Sequence, residues 1–307
     1  MDAALTLRSL GEEALVARLT GLLPQMGRAV LEGPGDDCAV VEESSQGDWS
    51  LLKADAVVEG VHFVSGERMQ RVGWKALCRA VSDVAAMGGM PLHALVSVTA
   101  APETPWLVLR DLYRGLARAA RAYGVSVVGG ETTHSSGPLV CSVFLTGRVE
   151  PDRCVRRAGG RPGDVLLVTG RLGGAYATGR HLDFKPRLSE ARWLSSRFRP
   201  RAMMDLSDGL AKDGPRLARS SGCGMELEPR FIPRRRGCSV AAACSDGEDF
   251  ELLIAVCPSQ VEPLLVEWRR AFPKLPLTRI GRLLEAREGL RPRAIFDLCG
   301  YDHFQQS

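Results

Sequence analysis

The sequence predicts an α+β protein of two domains, and three observations carry that expectation. Apolar residues recur at helical spacing over residues 71–87 and 106–123. Short apolar runs flank those helices, so the first half reads as an α+β or split-βαβ arrangement. A polar, arginine-rich stretch at 150–160 then precedes a fresh apolar run, Val165 to Val168. The boundary places the domains at 1–150 and 151–307, and 307 residues suffice for two real cores.

The elements follow in order. Leu5, Leu10, Ala14, Leu15, Leu19 and Leu22 predict an amphipathic opening helix within 3–23. Pro34-Gly35-Asp36-Asp37 reads as a turn into the short run Cys38 to Val41. Leu51 to Val58 is extended, interrupted by Lys53 and Asp55. The helix at 71–87 carries Asp83 among small apolar neighbours and stops at Gly88-Gly89. Leu92 to Val98 is a strand, and Pro102 and Pro105 punctuate the approach to the second helix. Val125 to Val128 leads into Gly129-Gly130-Glu131-Thr132-Thr133, taken with the other acidic turns, and Leu139 to Val149 is extended.

Beyond the boundary, Val165 to Val168 is a buried strand, and Gly170 to Gly174 precedes a helix expected from Ala175. Residues 181–200, polar and containing Pro186 and Pro200, read as a mobile segment. Asp205 and Asp208 lie three apart and converge if a helix starts between them, with Ser207 as its cap. Gly214-Pro215 is expected to reset or kink that helix. Phe250 to Val256 is a strand, 259–271 a helix and 276–284 extended.

Composition excludes several function classes. A net charge of +4 is too small to argue for nucleic acid, and the basic runs at 153–161 and 230–236 lack a reading module or interleaved aromatics. No run of about 18 apolar residues marks a membrane span. Met1-Asp2-Ala3-Ala4 lacks a basic n-region, so a cytoplasmic location is expected. The nine cysteines form no C-x-x-C pair and read as free, mostly buried thiols. The five histidines show no metal-ligand spacing.

The chemistry lies in acidic positions beside small residues: Asp36, Asp37, Asp55, Asp83, Glu131, Asp205 and Asp208. Carboxylates next to Gly and Ser suit a divalent cation, because hard oxygen ligands select Mg²⁺ and small neighbours admit phosphate oxygens. Gly, Asp and Ser also favour solvated turns, so recurrence rather than any one pair argues for a shared site.

Taken together, these stretches resemble the thiamine-monophosphate kinases, of the superfamily shared with aminoimidazole ribonucleotide synthetase and selenophosphate synthetase. The matching segments are G-D-D at 35–37, D-x-x-x-E-G-V-H-F at 55–63, V-S-D-V-A-A-M-G at 81–88 and G-G-E-T-T at 129–133. R-x-G-D at 161–164, V-T-G-x-L-G at 168–173, D-L-S-D-G-L at 205–210, G-E-D-F-E-L-L at 247–253 and G-Y-D-H-F at 300–304 continue it. They run in order over almost the whole chain.

The resemblance implies a two-domain synthetase-like fold whose N-terminal domain pairs with a second copy to make a dimeric β-barrel. It implies transfer from ATP to thiamine phosphate, with Mg²⁺ and with K⁺ as a further candidate cation. Asp37, Asp83 and Asp208 are then the catalytic carboxylates, and Asp36, Asp55, Glu131 and Asp205 complete the metal set. Gly129, Gly130, Glu131, Arg148, Gly170 and Gly173 are implied nucleotide contacts, and His62, Phe63, Tyr301 and Phe304 line the thiamine-phosphate side. Competing expectations are a related ATP-dependent enzyme of the superfamily and a non-catalytic homodimer binding nucleotide or thiamine phosphate.

The chain departs from the family pattern in three places. Lys53-Ala54 stands where Ser-Thr is usual, Ala80 replaces an Asn, and Glu131 replaces an Asp. A hydroxyl ligand is therefore missing before Asp55, and Lys53 either neutralises charge or points to solvent.

Overall fold

The computed structural model describes residues 6–43, 47–298 and 300–304. Helix α1 (Leu7–Thr20) opens the chain, kinked at Gly11, and its Leu7, Val16 and Leu19 are exposed. The first sheet is built from β1 (Val30–Glu32), β2 (Ala39–Val41), β3 (Trp49–Val58), β4 (Met90–Ala100), β5 (Ser126–His134) and β6 (Val140–Val149). Its strand order is β1-β2-β3-β6-β4-β5, antiparallel except for the β4–β5 pair. Helices α2 (Met69–Ala86) and α3 (Trp106–Tyr123) cover one face.

The second sheet contains β7 (Val165–Thr169), β8 (Ala202–Asp205), β9 (Cys223–Leu227), β10 (Leu252–Val256), β11 (Leu277–Glu285) and β12 (Leu290–Arg291), in the order β12-β9-β11-β7-β10-β8. Its helices are α4 (Leu188–Arg197), α5 (Leu210–Ser220), α6 (Val240–Ser245), α7 (Val261–Ala271) and α8 (Arg293–Phe296). β7, β8 and β10 are buried at every position, as their unbroken apolar runs require. The mixed α+β expectation holds, but each sheet is open: among the described residues no barrel closes within one chain.

Side-chain alternation explains the first sheet. Leu51 and Val57 of β3 and Leu145 of β6 point into the core, while Leu52, Leu95, Val128 and Phe144 stay exposed. The face away from α2 and α3 is thus apolar and uncovered. Gly130 belongs to strand β5 rather than to a turn; a Cβ there would lie 1.8 Å from the Val96 carbonyl oxygen.

Helix α2 locks the halves together. Val72 and Val81 enter the first core, whereas Ala85 and Ala86 pack with Leu167, Ala191, Leu194 and Met203 of the second half. Phe184 and Phe250 stack at 3.8 Å inside the first core, and Trp74 Nε1 donates to the Phe184 carbonyl at 2.8 Å. The eight described cysteines are free thiols; Cys299 lies outside the described residues.

Expectation and structure part at three segments of the second half. Residues 181–200 contain an ordered helix, because Ala191 and Leu194 bury against α2's end while Trp193 packs on Phe198 and Trp268. No helix starts at Ala175; turns lead to a single 3₁₀ turn at Arg180–Leu182, with Gly179 left-handed at φ 70°. Asp205 ends β8, and α5 begins only at Leu210, so Asp205 and Asp208 do not share a helix. Ser207 is no cap; Gly209 takes that position, and helix α5 runs on through Pro215.

Helices α2 and α3 cross where both offer glycine. A Cβ on Gly73 would lie 1.9 Å from the Leu112 carbonyl oxygen, and one on Gly115 would lie 2.1 Å from that of Gln70. Gly73→Ala is therefore expected to destabilise the fold by about 1–3 kcal/mol through overpacking. Equilibrium urea unfolding checks this, and an unchanged midpoint would show that the crossing has spare room.

Candidate functional site between the two sheets

Three carboxylates from three separate elements meet at the junction. Asp37 comes from the turn before β2, Asp83 from the last turn and a half of α2, and Asp205 from the end of β8. Each offers an oxygen within 4.8 Å of the others, and all three residues are buried. Ser82 Oγ donates to Asp205 Oδ2 at 2.6 Å, which orients it toward its neighbours.

Arginine and lysine hold this charge in place. Arg157 Nε donates to Asp37 Oδ1 at 3.1 Å, a second Arg157 nitrogen bonds the same oxygen, and the Arg157 amide donates to Asp36 Oδ2 at 3.0 Å. Asp37 Oδ2 is buried without a hydrogen-bond partner. Register supplies the next layer. Lys53 and Asp55 alternate onto the helix-facing side of β3, while Arg79 and Asp83 lie one turn apart on α2. Lys53 Nζ consequently reaches Asp83 Oδ1 at 3.1 Å and Asp55 Oδ2 at 3.8 Å. Arg79 bridges Asp55 and Glu248 at 3.5 Å each.

Burial and mutual repulsion raise the acids. Desolvation, then Asp37, lifts both Asp36 and Asp205 to about 7. Desolvation also raises Asp83 well above the carboxylate range. Asp55 differs: burial opposes its charge, but Lys53 and Arg79 outweigh it and hold the carboxyl low. Hard oxygen donors at this spacing, one of them a buried unpartnered carboxylate oxygen, fit a hard divalent cation such as Mg²⁺.

Two cavities open at the surrounding layer, where Arg79 lines both and Asp55 lines one; none of the three cluster carboxylates lines either. One of about 300 Å³ is lined by His62 and Arg79 from the first half and by Tyr176, Asp208, Glu248 and Tyr301 from the second. The other, about 710 Å³, is lined by Asp55, His62, Arg79, Phe144, His303 and Phe304. The His62 and His303 rings lie 5.3 Å apart, and Tyr301 meets His303 edge-on at 5.0 Å. His62 Nδ1 accepts the Val58 amide at 3.1 Å; burial, then Arg79, Lys75 and His303, push its pKa down to about 2, so the ring is neutral.

The remaining predicted residues divide. Asp208 stands apart from the three-carboxylate cluster, in the smaller cavity's wall, where Arg216 Nη1 donates to it at 2.6 Å. Glu131 is exposed on β5, also outside that cluster, and its Oε1 accepts the Thr132 amide at 3.0 Å. Phe63 is packed into the first core rather than lining a cavity. Neither cavity is lined by Gly129, Gly130, Arg148, Gly170 or Gly173. Arg148 pairs with Asp48 at 3.7 Å, Gly170 packs against Glu251, and the Gly173 amide is donated to Asp249 at 2.8 Å. Sequence reasoning missed Arg79, Arg157, Glu248 and His303. Arg157 lay in the arginine-rich boundary stretch, and nothing local marked its buried partner 120 residues away.

Comparison with known proteins agrees with this arrangement. Residues 35–149 match the family model "AIR synthase related protein, N-terminal domain". The chain is 34% identical to the thiamine-monophosphate kinase of Rhodopirellula baltica over 92% of each chain. A solved structure described as AaThiL complexed with AMPPCP and TMP is 30% identical, with a TM-score of 0.82 over 98% of this chain and 100% of that one. The hydrogenase maturation protein HypE of Escherichia coli, at 22% identity and a TM-score of 0.68 over 78% of this chain and 82% of that one, shares the fold.

The raised carboxyls predict a signed pH dependence. Asp36 and Asp205 move from 3.8 to about 7 on folding, so the folded state binds more protons between those values. Stability of the metal-free protein is therefore lost as pH rises from about 4 through about 7. Thermal melts across that interval should show Tm falling, and Asp205→Asn should flatten the fall. A Tm that climbs steadily with pH would contradict the burial of these groups as acids.

Proposed function

The chain belongs to the thiamine-monophosphate kinase family, and from that membership we propose that it transfers the γ-phosphoryl group of ATP directly, in line, to thiamine phosphate. A phosphate oxygen of thiamine phosphate forms the new bond to the γ-phosphorus. The bond to the bridging oxygen breaks, and its electron pair leaves with ADP. The product is thiamine diphosphate.

The observation that carries this reading is the buried Asp37–Asp83–Asp205 cluster, linked through Lys53, Asp55 and Arg79 to a cavity walled by both halves. Phosphoryl transfer between two phosphates needs positioning and charge control more than proton transfer. The nucleophile is already largely anionic near neutral pH, since a phosphomonoester's second pKa is about 6. The neutral His62 is therefore not required as a base. Asp37, Asp83 and Asp205 would hold Mg²⁺, with Asp36 and Asp55 flanking. Bound there, Mg²⁺ would supply Lewis-acid neutralisation of phosphoryl oxygens. Ser82 keeps Asp205 aimed inward, and Arg157 keeps Asp37 in place.

The smaller cavity suits the organic part of the substrate. Its Asp208, Asp246 and Glu248 complement a cationic thiazolium, and the rings of Tyr176, Tyr301 and His303 supply stacking faces. Arg79, shared by both cavities and next to Asp55, is placed to meet the substrate phosphate.

We extend the proposal to the assembly. Residues 1–150 form the metal, nucleotide and dimerisation domain, and 151–307 the second domain. The open apolar face bearing Leu52, Leu95, Val128 and Phe144 is covered by a second copy, closing the barrel. Gly129, Gly130 and Glu131 on β5 then border the nucleotide, with Arg148, 54% exposed, as a further contact. We assign the enzyme to the cytoplasm, in keeping with its free buried thiols; no helix among the described residues is long and apolar enough to cross a membrane.

Two outcomes test this. Purified protein should form thiamine diphosphate from ATP and thiamine phosphate in a Mg²⁺-dependent manner, and Asp83→Asn should lose at least about a hundredfold in kcat while staying folded by circular dichroism. No product across Mg²⁺ and K⁺ concentrations would overturn the activity, and near-normal turnover in the variant would remove Asp83 from the site. For the assembly, Leu95→Glu with Phe144→Glu should halve the mass seen by light scattering; an unchanged mass would place the interface elsewhere.

A further inference from the structure

Lys53 stands inside the acidic site rather than in solvent. Its ammonium is 3.1 Å from Asp83 Oδ1 and 3.8 Å from Asp55 Oδ2. Among the described residues, no other cation is ion-paired with Asp83. The placement is enforced by register, since position 53 shares the helix-facing side of β3 with Asp55. Desolvating an ammonium here is costly unless carboxylates surround it, and two do.

Charge balance gives the placement a consequence. Asp36, Asp37, Asp55, Asp83 and Asp205 bring five carboxylates to the junction. Lys53, Arg79 and Arg157 bring three cations into ion pairs with them. With all five ionised, as ligation of a metal requires, the two uncompensated negative charges equal the charge of a single divalent ion. Remove Lys53 and three remain, with Asp83 left bare toward Asp55. Asp37 Oδ2 and Asp55 Oδ2 are both buried without a hydrogen-bond partner; the second faces the Lys53 ammonium at 3.8 Å, and the first marks where a cation is still wanted.

We propose that the Lys53 ammonium is a resident cation of this site, taking the place between Asp55 and Asp83 that a divalent ion would otherwise occupy, so that the nucleotide-free protein holds its metal at Asp37–Asp83–Asp205 alone. This rests on the metal reading above. It turns the loss of the usual hydroxyl at 53–54 into an exchange of one exchangeable ion for a tethered charge. Arg79, on the other oxygen of Asp55, reinforces it.

Counting bound Mn²⁺ by electron paramagnetic resonance, without nucleotide, tests the idea on wild type, Lys53→Thr and Lys53→Arg. Wild type and Lys53→Arg should each hold about one tight Mn²⁺ per chain, and Lys53→Thr about two. Metal-free Lys53→Thr should also melt below wild type and regain that loss on adding Mg²⁺. Equal counts in all three proteins would overturn the proposal while leaving the metal site intact. Absence of tight Mn²⁺ from all three would remove the metal reading and this proposal together. Anomalous diffraction from Mn²⁺-soaked wild-type crystals decides the matter even if Lys53→Thr does not fold. Mn²⁺ ligated by Asp55 and Asp83 together would overturn it; Mn²⁺ at Asp37 and Asp205 with Lys53 still paired to Asp83 supports it.

Discussion

Mutual repulsion among Asp37, Asp83 and Asp205 is the constraint on which the rest of this structure depends. Their oxygens share one small buried space, where charge is poorly screened. Left alone, such a trio protonates or pushes its elements apart. The fold answers with cations at fixed places: Arg157 on Asp37, Lys53 on Asp83, and Arg79 on Asp55. Each arises from a different element, so both halves of the chain must be docked for the charges to balance.

Helix α2 makes that docking possible. One stretch of it packs on the first sheet, and its last residues, Ala85 and Ala86, are buried among side chains of the second half. A helix buried on both sides cannot shift without breaking two cores. Asp83 and Arg79 ride on it, so the site inherits its rigidity. Gly73 and Gly115 let α3 approach α2 closely. The sheet face away from these helices is apolar, uncovered and edged by β5.

Much of this was legible because its signals are local. Asp83 sits among small apolar residues on a strongly periodic helix, where an unpaired charge is costly, and it is buried beside Asp37 and Asp205. Asp37 beside Gly35 was equally visible. The failures share a cause. Asp205 and Asp208 look like a helical pair, but the strand runs to Asp205 and a turn separates it from α5, so one faces the cluster and the other a cavity. Polarity at 181–200 concealed Ala191 and Leu194, whose spacing matters only against the end of α2. Phe63 matched a motif, yet a motif does not report which way a side chain points, and this one packs into the first core.

By itself the sequence determined the element types, the apolar alternation of the central strands, the family, and a short list of acids suited to a hard cation. Those follow from spacing and residue chemistry within a few positions of each other. Only the tertiary structure decided which acids meet, because Asp37, Asp83 and Asp205 are brought together by contacts between distant segments. It alone decided that Arg157 is a clamp rather than surface and that Lys53 is a cation of the site rather than a solvent-facing side chain. An isolated lysine carries the same charge anywhere; its neighbours, set by the register of β3 against α2, determine what that charge does.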